Sequence, residues 1–260
     1  MNRREWLQTG TVIAGGLLAG CKTLAPIASS RGTAPARLLF NENPYGPSPA
    51  ARKAMALAFD EGNLYTEIPS NELRTLFAES VGLTPEHIVI GAGSGEILNV
   101  AGLLYGKDGG EIVAAHPTFE QLIDYARAIG ATIQDVPLDA SMRHDLAEMN
   151  RRVSSKTSLV YVCNPNNPTG TLVPGDALQS FCEDVSKRAL VYVDEAYHEY
   201  VEHPDYRSMV DLIQKGHNII VSRTASKIHG LAGLRIGFGI GQPDTIKKID
   251  RAMTGSVNVL

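Results

Sequence analysis

The chain has 260 residues, 43% hydrophobic and 20% charged, with 24 Lys plus Arg against 28 Asp plus Glu and a formal net charge of −4. That balance supports a buried core and excludes the basic surface that nucleic-acid binding requires. Besides Cys21, only Cys163 and Cys182 occur, both within apolar patterns, which excludes a disulfide scaffold; His116, His198, His203, His217 and His229 are scattered without ligand spacing, so no metal site is expected.

At the N-terminus, Arg3 and Arg4, followed by Glu5, Trp6 and Leu7, precede a mildly apolar stretch from Thr11 to Gly20 that is too short to span a bilayer. This is the three-part organisation of a bacterial signal peptide, and the paired arginines point to the twin-arginine route, which carries folded proteins. Leu18-Ala19-Gly20-Cys21 is similar to a lipobox, in which Cys21 becomes a lipidated first residue; the alternative is cleavage nearer Ala28-Ser29. Residues 1–30 are thus expected to be a signal segment outside the fold. The expected location is the periplasm or a membrane anchorage through Cys21, with the cytoplasm as the alternative.

Residues 31–65 come before the periodic part of the chain and are expected to belong to a smaller domain or a dimer interface. From residue 66 onward, strand-like runs near 88–90, 112–115, 132–136, 159–163, 190–194, 219–222 and 236–240 alternate with helical runs at 71–82, 95–105, 119–129, 175–187 and 207–215. This βαβ rhythm predicts an α/β fold, a mostly parallel seven-stranded sheet with helices on both faces.

Five segments carry chemistry. HIVIGAGSGEILNVAG reads as a strand, a glycine-rich turn and a helix start, whose backbone N–H groups at Ser94, Gly95 and Glu96 make an anion site. Taken alone, such a turn is more often only a tight turn. AAHPTFEQLIDYARAIGA offers Phe119, which suits either a stacking role or an ordinary place in the core. SLVYVCNPNNPTGTLV runs from an apolar strand into an Asn-Pro-Gly loop containing Asn167. ALVYVDEAYHEY is a buried strand ending in Asp194, Glu195, Ala196 and Tyr197, and ligands of open α/β sheets sit at such carboxyl ends. Last, RTASKIHGLAGLRIGFGIG combines the Lys227 amine, which can condense with an aldehyde, with hydroxyls and the Arg235 guanidinium that can hold a phosphate, and with glycines that let backbone approach. A lone Lys beside Ser is ordinarily a solvated surface residue; the surrounding segments change that reading.

In this order, NPNNPTG, VDEAY and SKxxGLAGLR resemble the class I and II aminotransferases of pyridoxal-phosphate fold type I, most closely the histidinol-phosphate aminotransferase group. The resemblance implies pyridoxal 5'-phosphate as cofactor. It implies that Lys227 is the Schiff-base anchor, that Asp194 pairs with the ring nitrogen, and that Asn167 and Tyr197 hold the phenolic oxygen. Thr224, Ser226, Arg235 and the Ser94-Gly95-Glu96 turn would hold the phosphate. The residue three after Phe119, often Tyr in this group, is Leu122, which leaves Phe119 as the stacking candidate. Tyr65 matches the tyrosine that reaches the partner subunit's phosphate, although the family's flanking Arg and Pro are Leu64 and Thr66 here.

By the same resemblance the chain is expected to be a homodimeric transaminase moving an amino group between an amino acid, histidinol-phosphate-like or other, and a 2-oxo acid. A pyridoxal-phosphate decarboxylase of threonine-phosphate type shares these motifs and is the rival within the fold. The family's C-terminal small-domain segment, which supplies an arginine for the substrate carboxylate, is expected beyond Leu260, so the chain reads as truncated. An exported, inactive relic of such an enzyme is the remaining alternative.

Overall fold

The structure is a computed structural model that describes residues 38–254. The predicted signal segment, with Arg3, Arg4 and Cys21, lies outside the described residues. A compact unit begins at Asn41. Among the described residues no helix is long and apolar enough to cross a membrane, and no group of three or more His, Cys, Asp or Glu is placed to hold a metal ion.

All seven expected strands form: β1 (Ile88–Ala92), β2 (Glu111–His116), β3 (Thr132–Pro137), β4 (Thr157–Cys163), β5 (Leu190–Asp194), β6 (Ile219–Thr224) and β7 (Ile236–Gly241). They make one sheet in the order β1-β7-β6-β5-β4-β2-β3. The unbroken apolar runs of β4, β5 and β6 suit strands covered on both faces, and these pair in parallel. β7 is antiparallel to both β6 and β1. Its connection from β6, residues 225–235, contains no crossover helix, so the chain returns in the opposite direction.

Pairing brings several strand ends to one edge. Asp194 lies opposite Cys163 and Ser222, Thr224 opposite Gly237, and Ala92 opposite Ile236. The carboxyl ends of β1, β4, β5 and β6 and the start of β7 therefore meet along one rim.

Period-two alternation divides the core in two. Val160, Val162, Val191, Val193 and Val221 pack with α2 (Glu67–Ser80), α5 (Leu146–Arg152), α6 (Gly175–Val185) and α7 (Val210–Gln214). On the opposite face, Leu159, Tyr161, Cys163, Leu190, Tyr192 and Ile220 pack with α3 (Ser94–Gly106), α4 (Gln121–Ala128) and α8 (Pro243–Ala252). Burying each aliphatic side chain contributes about 1.5–3 kcal/mol, so both faces are needed. Cys163 and Cys182 are free thiols, buried on opposite faces.

Helix boundaries differ from the sequence reading in instructive ways. α2 begins earlier than expected, at Glu67, because Pro69 is tolerated in a first turn. The run expected at 207–215 shortens to α7. Three helices have no counterpart among the expected runs: α1 (Pro49–Ala58), α5 and α8. α1 buries none of its residues and α5 buries only Met149. Capping announces these two instead, since Ser48 accepts from the Ala51 N–H and Asp145 from the Glu148 N–H. Leu57, Phe59, Leu64, Tyr65, Ile68 and Leu76 remain exposed on α1, α2 and the chain between them.

Candidate functional site

Alternation along β5 sends Asp194 to the α3–α4 face of the sheet, where it is only 2% exposed at the rim. Ser222 on β6 has the same parity and donates to Asp194 Oδ1 at 2.9 Å; the Ala196 N–H also reaches Oδ1, at 3.2 Å. Tyr161 approaches Oδ2 at a weak 3.5 Å. Burial, against these neutral donors, pushes the Asp194 carboxyl from the ordinary 3.8 up to about 6. Such a buried carboxylate suits a cationic N–H partner.

The next residue meets the opposite fate. Glu195 faces the other core, where Arg223 donates to its Oε2 from Nε and from one terminal nitrogen, at 3.2 and 3.0 Å. Ser208 Oγ and the Met209 N–H complete its partners. Glu195 is therefore a structural ion, fully satisfied inside the protein.

A second cluster forms where β1 ends. Gly93, at φ 79°, turns the chain into α3, and the first N–H groups of that helix belong to Ser94, Gly95 and Glu96. The Glu96 carboxylate folds back to accept from the Ala92 N–H at 2.7 Å, so its side chain secures the turn, while the Glu96 N–H itself donates to the Gly93 carbonyl at 3.3 Å. Arg235, in the left-handed region at φ 58°, donates to the carbonyls of Ala92 and Ala232, each at 3.1 Å. A Cβ on Gly93 would lie 2.3 Å from the Arg235 guanidinium, and one on Gly237 would lie 2.0 Å from the Ser94 nitrogen. Only glycine admits this approach of guanidinium and strand to a helix N-terminus, and the result is a built anion cradle.

The β6–β7 connection carries Ser226 and Lys227. Thr224 is buried; its hydroxyl donates to the Ile236 carbonyl at 3.4 Å and accepts from the Ser226 N–H at 3.1 Å, which folds the start of the loop. Lys227 Nζ stands 5.3 Å from the centre of the Tyr197 ring. Asn43 Nδ2 donates to the Ile228 carbonyl at 2.8 Å, and a Cβ on Gly230 would strike the Gly46 backbone at 2.3 Å, so the NENPYGP segment lies against the lysine loop.

Tyr197 and Asn167 line one cavity of about 430 Å³ together with Asn41, whose amide donates to the Tyr197 hydroxyl at 3.0 Å. The Asn-Pro loop is held from beneath by buried Asn166, which accepts from Thr118 and contacts His144 at 3.1 Å. His144 is held well below its usual range, at about 4, because it is buried. Phe119, beside Thr118, is half-buried and packs on the α3–α4 core; Leu122 is fully buried within it and faces no ligand space.

The structure thus groups Asp194 at the rim, Lys227 with Tyr197, Tyr197 with Asn167, and Arg235 with Ser94, Gly95 and Glu96. It does not bring Tyr65 to them: that side chain is 97% exposed on the turn before α2. Asn41, Asn43, Tyr161 and Ser222 are additional members of the site. Strand parity could have found Tyr161 and Ser222. No local signal places Asn41 against Tyr197. The donor set suits a group with an anionic phosphate, a phenolic oxygen and a protonated ring nitrogen, as pyridoxal phosphate has.

If the raised Asp194 carboxyl shapes stability, the sign is fixed. A carboxyl that titrates higher in the folded state favours folding fully below the unfolded value of 3.8, and loses that contribution as pH rises through about 6. The cost above that pH is of order 1–3 kcal/mol. Cofactor-free Asp194→Asn should therefore exceed wild type in stability at pH 8 and match it near pH 4. Denaturant unfolding of both proteins at the two pH values checks this; a difference independent of pH would contradict it.

Comparison with known proteins agrees with this geometry. The sequence profile of aminotransferase class I and II matches residues 36–259. A histidinol-phosphate aminotransferase of Moorella thermoacetica is 42% identical over 216 residues, 83% of this chain and 56% of that protein. One from Bacillus cytotoxicus is 40% identical, over 83% of this chain and 58% of its own. The crystal structure of the histidinol-phosphate aminotransferase of Sinorhizobium meliloti in complex with pyridoxal-5'-phosphate superposes with a TM-score of 0.77 at 28% identity, over 85% of this chain and 60% of that one. The chain spans less than two thirds of the length of these relatives. A profile matched along most of the sequence, and a rim built as this one is, make the chain a member of the class I and II aminotransferases.

Proposed function

We propose that this chain is a pyridoxal-phosphate-dependent aminotransferase acting on an amino acid, histidinol-phosphate-like or other, and a 2-oxo acid. The observation that carries the reading is the pairing of a buried, cation-seeking Asp194 with the Lys227–Tyr197 contact on the same rim. When bound, pyridoxal phosphate supplies an aldehyde that captures the substrate's amino group and a ring that accepts the electron pair left at the α-carbon.

The chain's own residues do the rest. Lys227 Nζ anchors the cofactor and, once displaced by substrate, takes the proton from the substrate α-carbon. Asp194 keeps a proton on the ring nitrogen by remaining ionised beside it; the new cation offsets the burial that raises its pKa. Asn167 and Tyr197 orient the phenolic oxygen, and Asn41 fixes the Tyr197 hydroxyl. Arg235, Ser226, Thr224 and the N-terminus of α3 take the phosphate, with Phe119 stacking on the ring. Tyr65 would serve the partner subunit's phosphate in a homodimer, and the exposed apolar side chains of α1 and α2 give a second copy a face to cover.

Export by the twin-arginine route, with either a lipid anchor at Cys21 or cleavage near residue 29, accompanies this reading. A cofactor-loaded enzyme must fold before it crosses a membrane, and that route accepts folded cargo.

Wild-type protein should bind pyridoxal phosphate covalently, fixable by borohydride, and convert it to the amine form with an amino acid. Lys227→Ala should lose the fixed adduct and essentially all turnover. A borohydride-fixed adduct surviving in Lys227→Ala would overturn the site, and release of carbon dioxide in place of an oxo acid would favour the decarboxylase.

Sedimentation should give a mass near twice that of the chain, and Leu57→Glu with Ile68→Glu should lower it to one copy. A monomeric wild type would refute the dimer.

Replacing Arg3 and Arg4 by Lys should retain the precursor in the cytoplasm with an unchanged cofactor spectrum. Normal periplasmic appearance of that variant would overturn the twin-arginine route, and a wild type found only in the cytoplasm would overturn export.

A further inference from the structure

Two loops must meet for Lys227 to face Tyr197: the β6–β7 connection and the turn after β5. His229, two residues beyond Lys227, approaches Glu199, two residues beyond Tyr197, at 3.9 Å between Nε2 and Oε1. That separation is too long for a hydrogen bond and makes a charge pair when His229 is protonated. Glu199 is otherwise poorly provided for: its other oxygen is buried and, among the described residues, has no hydrogen-bond partner. Its side chain is 25% exposed, against 55% for His229.

We propose that the His229–Glu199 pair is a strap that closes the lysine loop onto the Tyr197 turn, making both positioning residues for the Lys227 amine. The inference rests on the cofactor reading above for its purpose, although the strap itself is a property of the two loops. Asn43, bonded to the Ile228 carbonyl, holds the same loop from the N-terminal side, so the lysine is pinned from two directions. The titration of the pair is consistent with the contact. The Glu199 carboxylate holds the His229 imidazole above its ordinary value, and burial that alone would raise Glu199 is outweighed by His229, by its own backbone and by the more distant charges of His198 and Arg223. Between Lys227 and Arg235 the loop is glycine and apolar except for the imidazole placed between Ile228 and Gly230.

The test compares wild type, His229→Gln, Glu199→Gln, the double variant and His229→Arg, each as the full chain. Two rates are read: covalent capture of pyridoxal phosphate by absorbance, and labelling of Lys227 by trinitrobenzenesulfonate, quantified by peptide mass spectrometry. Each Gln variant should slow capture about fivefold and speed labelling by a similar factor, the scale of a partly exposed charge pair. The double variant should be no worse than either single one, and His229→Arg, which keeps the cation, should behave as wild type. Thermal midpoints should stay together. Equal labelling of Lys227 in all the proteins, or single effects that add in the double variant, overturns the strap. If no protein captures pyridoxal phosphate, the cofactor reading fails, while the labelling ratios still decide the strap.

Discussion

Two adjacent carboxylates leave the end of β5 on opposite faces of one sheet, and the site is organised by that separation. Glu195 enters the α2–α7 side and finds Arg223, a serine hydroxyl and a backbone N–H. Asp194 enters the α3–α8 side and finds only neutral donors. Removing one member of a buried ion pair costs about 3–5 kcal/mol, which makes Glu195 part of the scaffold. Asp194 is held in the same dry interior with its charge uncompensated, and its raised pKa is the physical record of that deficit. A period of two along the strand is enough to set one acid with a cationic partner and one without side by side.

The anion cradle obeys a similar economy of backbone. A left-handed arginine costs about 1–2 kcal/mol, and Arg235 adopts that conformation at the start of β7. What it gains is aim: the guanidinium lies over Gly93 and bonds the last carbonyl of β1. The antiparallel return of β7 makes this possible, because it puts the start of one strand beside the end of another. A fully parallel sheet would have carried Arg235 to the far rim.

Legibility in the sequence follows burial. Apart from the edge strand β3, which buries only Val136, the strands are largely apolar runs with both faces covered, so their existence is plain from composition alone. The motif residues at their ends are legible for a related reason, since polar side chains directly after such runs stand at the rim. Helices without a buried stripe are not legible: α1 rests on its Ser48 cap and a proline, and periodicity passes over it. Long-range polar partners are the other gap. Asn41 and Tyr197 are far apart along the chain, and an Asn in an ENP-rich segment carries no mark of the tyrosine it will meet.

In the proposed reading, cofactor anchorage and substrate choice would be carried by different parts of the molecule. Asp194, Thr224 and the Arg235 cradle stand at strand ends and one helix N-terminus, where the two cores hold the backbone, whereas Asn167, Tyr197 and Ser226 stand on the loops that follow β4, β5 and β6. Beyond Asn167 and Tyr197 the walls change character to Pro165, Pro168, Leu172, Tyr200 and Val201, with Glu202 and His203 as the polar contributors. Those residues sit on the Asn-Pro loop and on the turn after Tyr197, with no strand behind them. Loops tolerate exchange where strands do not. In the proposed reading the ring nitrogen and phosphate would therefore be held by the part of the fold that is hardest to alter and the amino acid chosen by the part that is easiest, so that one cofactor rim could serve many transamination substrates.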